Sequence, residues 1–261
     1  MQDANHRRVV AQFGNRAEKY RDERLFAEGE DLAWLVEAAA LQGRERVLDV
    51  GTGAGHTALA LASSAGWCTG IDLTEPMVRV AEGLARARGV ENVTFAVGAA
   101  ERLPFPDEAF DLVVCRFAAH HFADFRQAVR EMARVLAPGG RVLAIDHHAP
   151  EDEAMDAFIN EIDRTRDPSH VREWRLSEWE AAFAAAGLAF CVRRRWYLAL
   201  DFANWVDRAD TPPEARAHLA RRLAEAPPAW RAEFRITLDQ AGKPTSFCLK
   251  AALIEGRKGL A

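Results

Sequence analysis

Between Val47 and Ile145, short apolar runs rich in β-branched residues alternate with longer stretches of helical spacing. The runs are Val47–Val50, Cys68–Ile71, Val93–Val97, Phe110–Cys115 and Val142–Ile145. Their lengths and composition suit parallel strands buried on both faces. Helices are expected over Thr57–Ser64, Glu75–Arg88 and Phe125–Leu136. Thr74 and Pro76 mark a helix start, and Ala137-Pro138-Gly139-Gly140 a stop before the next strand. Alternation of this kind predicts a doubly wound α/β sheet with right-handed crossovers.

The flanks follow other patterns. Residues 5–40 have helical spacing, with Val9, Val10 and Phe13 followed later by Leu32, Leu35 and Val36. After Pro150 a helix is expected over Glu151–Arg166, a turn at Asp167-Pro168-Ser169, and a helix over Glu178–Ala186 that stops at Gly187. Leu188–Leu198 and Ser246–Ile254 suit strands, and helices between them are interrupted at Pro212-Pro213 and Pro227-Pro228. Five of the seven Trp residues, at positions 174, 179, 196, 205 and 230, fall in this half. That clustering suits a helical cap inserted over the sheet, because the segment is too interrupted to build a separate core.

Charge and cysteine usage narrow the function classes. The 39 acidic residues outnumber the 34 basic ones, for a formal charge of −5. No nucleic-acid partner held by bulk phosphate neutralisation is expected. Cys68, Cys115, Cys191 and Cys248 are far apart in apolar stretches, with no C-x-x-C pair, and read as buried reduced thiols. The first ten residues hold no apolar leader, and no stretch approaches the roughly 20 apolar residues of a membrane span. A cytoplasmic protein is the expectation; the sequence specifies no oligomeric state.

Ligands of open parallel sheets bind beyond the carboxyl ends of the strands, where strand order reverses. After the first strand, Gly51, Gly53 and Gly55 occur at alternate positions, with Thr52 between the first two. Such a loop lets backbone approach a ligand closely. A dinucleotide loop would carry its third glycine at the position of His56, which tilts the spacing away from nicotinamide cofactors. Asp72 ends the second strand, 21 positions after Gly51, where an acidic side chain can accept from ribose hydroxyls or cap the helix starting near Thr74. An adenosine-bearing ligand explains the loop and Asp72 together.

The stretch from Val47 to Gly55 resembles motif I of the class I S-adenosylmethionine-dependent methyltransferases. Gly98–Phe105 is similar to that family's adenine-contacting segment, Phe110–Val114 to its fourth strand, and Arg134–Gly140 to the turn into its fifth. The four matches fall in order at family spacing, closest in style to the type 11, quinone-methyltransferase-like subgroup. The resemblance implies a Rossmann-like, mostly parallel seven-stranded sheet with an antiparallel last strand and a helical cap. Residues 1–45 then read as an N-terminal helical lid, 46–146 as the cofactor-binding core, and 147–261 as the remaining sheet with the cap. It implies further that Gly51, Thr52, Gly53 and Gly55 meet the methionine part of S-adenosylmethionine and that Asp72 holds the ribose. Leu73 and Met77 would flank the adenine, Ala100 and Glu101 would meet its edge, and Arg116 would stand beside the methionine end. Gln12 and Tyr20 match lid positions. Ala99 stands where many relatives carry Asp, and Tyr20–Phe26 lacks the N-terminal signature of the respiratory-quinone enzymes, which disfavours that substrate.

The fourth and fifth strands are neighbours in that fold, so His120 and His121 would meet His147 and His148 at one crevice edge. Adjacent residues diverge, so two or three of the four should face a pocket. His120 or His147, oriented by Asp146, is the candidate general base; the alternative is that these histidines are polar strand-end residues partly satisfied by backbone. No single helix or hairpin sets ligand spacing among them, so no metal is expected. His121, His148, His170 and Arg172 are candidate acceptor contacts, the last two closing from the cap. Arg193-Arg194-Arg195 reads as a solvated strand edge. The expected activity is methyl transfer to a small, partly aromatic or apolar acceptor, mainly by alignment. The alternatives are a nicotinamide-dependent oxidoreductase and a non-catalytic protein that binds S-adenosylmethionine.

Overall fold

The five central apolar runs form strands of one sheet. The computed structural model describes residues 2–14, 17–23 and 27–260, and of Asp3, Lys19 and Tyr20 the backbone only. Helices α1 (Gln2–Gly14), α2 (Ala17–Asp22) and α3 (Glu30–Ala39) lead into β1 (Arg46–Val50), α4 (His56–Ala62), β2 (Trp67–Asp72), α5 (Glu75–Arg88) and β3 (Val93–Val97). There follow β4 (Phe110–Arg116), a single 3-10 turn (Ala119–His121), α6 (Phe125–Val135) and β5 (Leu136–His147). The remainder is α7 (Glu153–Arg166), α8 (Leu176–Ala185), β6 (Leu188–Asp201), α9 (Phe202–Arg208), α10 (Pro213–Ala224), α11 (Pro228–Glu233), β7 (Thr237–Leu238) and β8 (Pro244–Lys258).

The strand order is β3-β2-β1-β4-β5-β8-β6, with two-residue β7 paired to β8. β8 runs antiparallel to both β5 and β6, while the other pairs along the path are parallel. This is the expected seven-stranded path, plus one short strand that the sequence pattern did not reveal. Strand order reverses between β1 and β4, so the ligand crevice lies over the ends of those two strands.

Side-chain alternation divides the core between the two sheet faces. Leu48, Val50, Val113 and Cys115 pack with Phe125, Val129 and Met132 of α6 and with Trp179 and Phe183 of α8. Val47, Leu112, Val114 and Leu143 pack oppositely, against Leu35 of α3 and Leu61 of α4. Phe158 and Ile162 of α7, Trp205 of α9 and Leu219 of α10 form a third cluster with Leu200, Phe247 and Leu249 of β6 and β8. The cap therefore shares its core with the sheet, as its interrupted sequence implied. Among the described residues no helix is long and apolar enough to cross a membrane.

Some boundaries and environments differ from expectation. β5 begins directly at the end of α6 with an irregular register near Phe110, so the Ala137–Gly140 turn lies inside the strand span. β6 and β8 are longer than expected because they pair with each other beyond the end of the parallel strands. Cys191 is exposed rather than buried, because it points outward from the edge strand β6. Of the triple arginine, Arg193 sits at a bulge and pairs with the buried Glu255 at 2.7 Å, and Arg194 lies over the Trp34 ring at 4.3 Å. All three nonetheless remain exposed, as expected of a solvated edge.

Candidate active site

The glycine loop after β1 is held from below by a buried carboxylate. Asp49 Oδ2 accepts from the Thr52 hydroxyl at 2.7 Å and from the Ala58 N–H, in the first turn of α4, at 3.2 Å. Burial pushes the Asp49 carboxyl up to about 6, against these hydrogen bonds, which favour its charged form. Gly51 and Gly53 have φ of 71° and 52°, the left-handed region that favours glycine. A Cβ on Gly51 would lie 2.5 Å from Ala118 Cβ, so that glycine admits the β4 loop. A Cβ on Gly53 would meet no atom within 4 Å, so its backbone faces open space.

That space is a cleft of about 1000 Å³, partly open to solvent. Gly51, Thr52 and Gly53 line one side, Asp72, Leu73 and Met77 a second, Ala100 and Glu101 a third, and Arg116 the inner end. Asp72 ties the glycine loop to the start of α5. Oδ1 accepts from the Thr74 N–H at 2.9 Å and hydroxyl at 2.8 Å at the start of α5, and Oδ2 from the Gly53 N–H at 2.9 Å. A carboxylate offers about four acceptor positions, so roughly one remains, on Oδ2, for a ligand hydroxyl. Glu101 accepts from the Ala123 N–H at 2.8 Å and lies 3.3 Å from His6 Nε2, tying α1 and the start of α6 to the cleft wall. Arg116 is buried in an ion pair with Asp31, Nε to Oδ2 2.5 Å.

A second cavity, of about 630 Å³, lies between the ends of β4 and β5 and the cap. Its polar wall holds His120, His121, His147 and His170, and its apolar wall Leu198, Leu200, Trp205 and Leu249. Phe13, Phe117 and His121 line both cavities, so the two meet there. Phe117 has φ of 51°, an uncommon conformation for a bulky residue, at this junction.

Asp146 organises the histidines. Its Oδ1 accepts from His120 Nδ1 at 2.6 Å and from the His147 N–H at 2.8 Å, and its Oδ2 from the His120 N–H at 3.1 Å. Burial opposes charge on His120, but the Asp146 charge and hydrogen bond outweigh it and raise its pKa. The His147 ring stacks on His120 at 4.8 Å, and burial followed by the His120 charge brings its pKa down to about 4. His121 and His170 are also lowered, burial first and His120 second. The surroundings thus shift His120 toward its charged form and the other three toward the neutral imidazole. The Val171 and Arg172 N–H groups donate to the His120 carbonyl, fixing the cap segment against this wall.

Four residues are placed otherwise than the sequence suggested. Gly55 does not line the cleft; with φ of 86° it caps α4, and a Cβ there would lie 2.9 Å from Ala81. Gln12 lines neither cavity and donates to the Ala209 carbonyl at 3.4 Å, from the flank of the α1 face that carries His6, Val9 and Phe13. His148 is buried but lines neither cavity, since neighbouring strand residues point to opposite faces. The Arg172 guanidinium is drawn to Asp156 at 2.7 Å and Glu178 at 3.0 Å, and also lines neither. Tyr20 was expected in the lid, and its side chain lies outside the described residues.

Sequence reasoning missed His6, Val9 and Phe13, whose helical spacing marks one face of α1 against the cleft. It also missed Asp163 of the second cavity, signalled by an acidic residue directly after the buried Ile159 and Ile162 of α7. Glu173, buried nearby, carries no comparable signal.

Residues 48–144 match a family model described as a methyltransferase domain. The chain is 51% identical over 246 residues to the uncharacterised methyltransferase YcgJ of Bacillus subtilis, covering 94% of this chain and 97% of that protein. The crystal structure of YcgJ superimposes with a TM-score of 0.87 at 49% identity, over 89% of this chain and 99% of that one. A putative methyltransferase from Bacillus halodurans gives 0.85 at 37% identity, over 88% of this chain and 100% of that one.

Proposed function

The chain belongs to the type 11 class I methyltransferases, and we propose that it moves a methyl group from S-adenosylmethionine to a small acceptor in the second cavity. The observation that carries this reading is the junction at Phe13, Phe117 and His121, where a cofactor-sized cleft opens into a separate chamber. The residues of the cleft suit the cofactor. The open backbone at Gly53 admits the methionine part, the spare Oδ2 position of Asp72 accepts from a ribose hydroxyl, and Leu73 and Met77 offer apolar surface to the adenine. Ala100 and Glu101 stand at the adenine edge, and Thr52 fixes the loop through Asp49.

Bound in the cleft, S-adenosylmethionine supplies an electrophilic methyl group on its sulfonium. The work left to the protein is alignment of an acceptor atom with that methyl across the junction. Phe13 and Phe117 shape the opening and exclude water from it. In its neutral form, with Nδ1–H committed to Asp146, His120 presents Nε2 as the nitrogen that takes a proton from the acceptor, and the Asp146 carboxylate stabilises the imidazolium so formed. His147, stacked on His120 and favoured neutral, is the second candidate. His121 and His170 offer hydrogen bonds to polar atoms of the acceptor. The apolar wall of Leu198, Leu200, Trp205 and Leu249 favours a partly aromatic or apolar acceptor.

Calorimetric titration with S-adenosylmethionine tests the cleft, and S-adenosylhomocysteine release over a panel of small aromatic and apolar acceptors tests the chamber. Binding with acceptor-dependent release is the expected result. No binding at millimolar cofactor overturns the assignment, and tight binding without release from any acceptor favours a non-catalytic cofactor-binding protein.

A further inference from the structure

We infer that His147, Asp163 and Glu173 form a binding site for one divalent transition-metal cation in the wall of the second cavity. One nitrogen or oxygen from each of the three residues lies within 4.8 Å of the others, and His147 Nδ1 is 3.5 Å from Glu173 Oε1. Ligands bound to one cation at about 2.0–2.2 Å stand roughly 3–3.5 Å apart, so small side-chain rotations close the set.

The stronger observation is the burial of these atoms. His147 Nδ1, Asp163 Oδ2 and Glu173 Oε1 are each buried with no donor or acceptor from another described residue, and the two carboxyl groups can bond only to each other, through a proton held by Asp163. Glu173 and Asp163 are only 1% and 5% exposed, and two carboxylates side by side in such a place are costly without a counter-charge. Asp163 also sits in the last turn of α7, where the helix dipole disfavours an anion and favours a cation. The Glu173 backbone is held by its N–H donating to Asn160 Oδ1 at 2.8 Å, so the ligand is positioned and not loosely tethered.

The donor set is one imidazole and two carboxylates, which suits Zn²⁺, Mn²⁺ or Fe²⁺ better than Mg²⁺. His147 and Asp163 face the second cavity, so a fourth position opens toward an acceptor oxygen. Coordination of an acceptor rests on the methyl-transfer reading; the metal site itself does not. The site departs from the expectation of no metal because its ligands come from β5, α7 and the segment before α8, which no local spacing reveals.

The test is titration of chelator-treated, full-length protein with Co²⁺, followed by visible absorption, and with Zn²⁺ and Mn²⁺ by calorimetry. One equivalent bound to the wild type is expected, with affinity reduced at least tenfold in both Glu173→Gln and Asp163→Asn and unchanged in His148→Ala. The wild-type titration needs no variant to fold, and absence of stoichiometric binding overturns the site. Wild-type affinity in both carboxamide variants also overturns it. A higher melting temperature in those variants, with no metal bound by the wild type, assigns the pair to a shared proton and overturns it too. Metal binding without methyl transfer to any acceptor upholds the site and removes only the acceptor's part in it.

Discussion

Asp146 grips His120 twice, through the ring Nδ1 at 2.6 Å and the backbone N–H at 3.1 Å, and so fixes both the position of the loop after β4 and the orientation of its imidazole. The expected consequence is a kinetic split. His120→Asn should lower methyl transfer about 100-fold or more, the usual scale for a lost general base, while S-adenosylmethionine affinity stays within about twofold. Asp146→Asn should act in the same direction. Single-turnover release of S-adenosylhomocysteine, set beside calorimetric binding, checks both; unchanged rates in both variants leave alignment as the whole of the catalysis.

Asp72 has two duties, and two substitutions separate them. Asp72→Asn keeps an oxygen for the start of α5 but turns an N–H donor toward the Gly53 N–H and loses the charge, so affinity for S-adenosylhomocysteine should fall several-fold with a smaller drop in melting temperature than in Asp72→Ala. Asp72→Ala loses the hydrogen bonds to Thr74 as well, and should cost roughly 1 kcal/mol of stability and about 1.5–3 kcal/mol of ligand affinity. Calorimetry and thermal denaturation of the two variants read the separation directly.

Gly51 and Gly53 should respond differently to the same change. Gly51→Ala brings a Cβ to 2.5 Å from Ala118 Cβ, both atoms carried on backbone, and should destabilise the fold by more than the roughly 1 kcal/mol of the left-handed conformation alone. Gly53→Ala meets open space, so its stability loss should stay near that value while ligand affinity falls because the methyl enters the cleft. Urea denaturation with and without S-adenosylhomocysteine distinguishes the two cases.

Asp49 gives a pH dependence of definite sign. Its carboxyl is raised to about 6 in the folded chain, from 3.8, so the folded state holds the proton more tightly than the unfolded state. Its contribution is most favourable below the unfolded value and is lost as pH rises through about 6, a change of roughly 2–3 kcal/mol. Asp49→Asn should remove that decline, making the variant at least as stable as the wild type at pH 8. Denaturation midpoints between pH 4 and 8 check the slope.

The central strands, the glycine loop and Asp72 were legible because each depends on residues close in sequence. A both-face-buried strand is apolar throughout, a left-handed turn needs glycine, and the acidic residue follows one strand by fixed connectivity. Gly55 shows the limit of that reading: its left-handed backbone was required, as expected, but its neighbour is Ala81 and not the cleft. His147 and His148 show the same limit from the other side. His147 ends β5 and His148 follows it, yet backbone alternation sends one into the second cavity and the other away from it.

By itself the sequence determined an alternating α/β core, the place of its ligand crevice and the residues of the cofactor loop, since local periodicity and turn chemistry carry that information. Only the tertiary structure decided that His6, Val9 and Phe13 of α1 close the cleft, that Arg172 turns to Asp156 and Glu178, and that His147 meets Asp163 and Glu173. Those relationships join residues separated by long stretches of chain. They are set by how helices and cap pack on the sheet, which buried area decides and no single segment encodes.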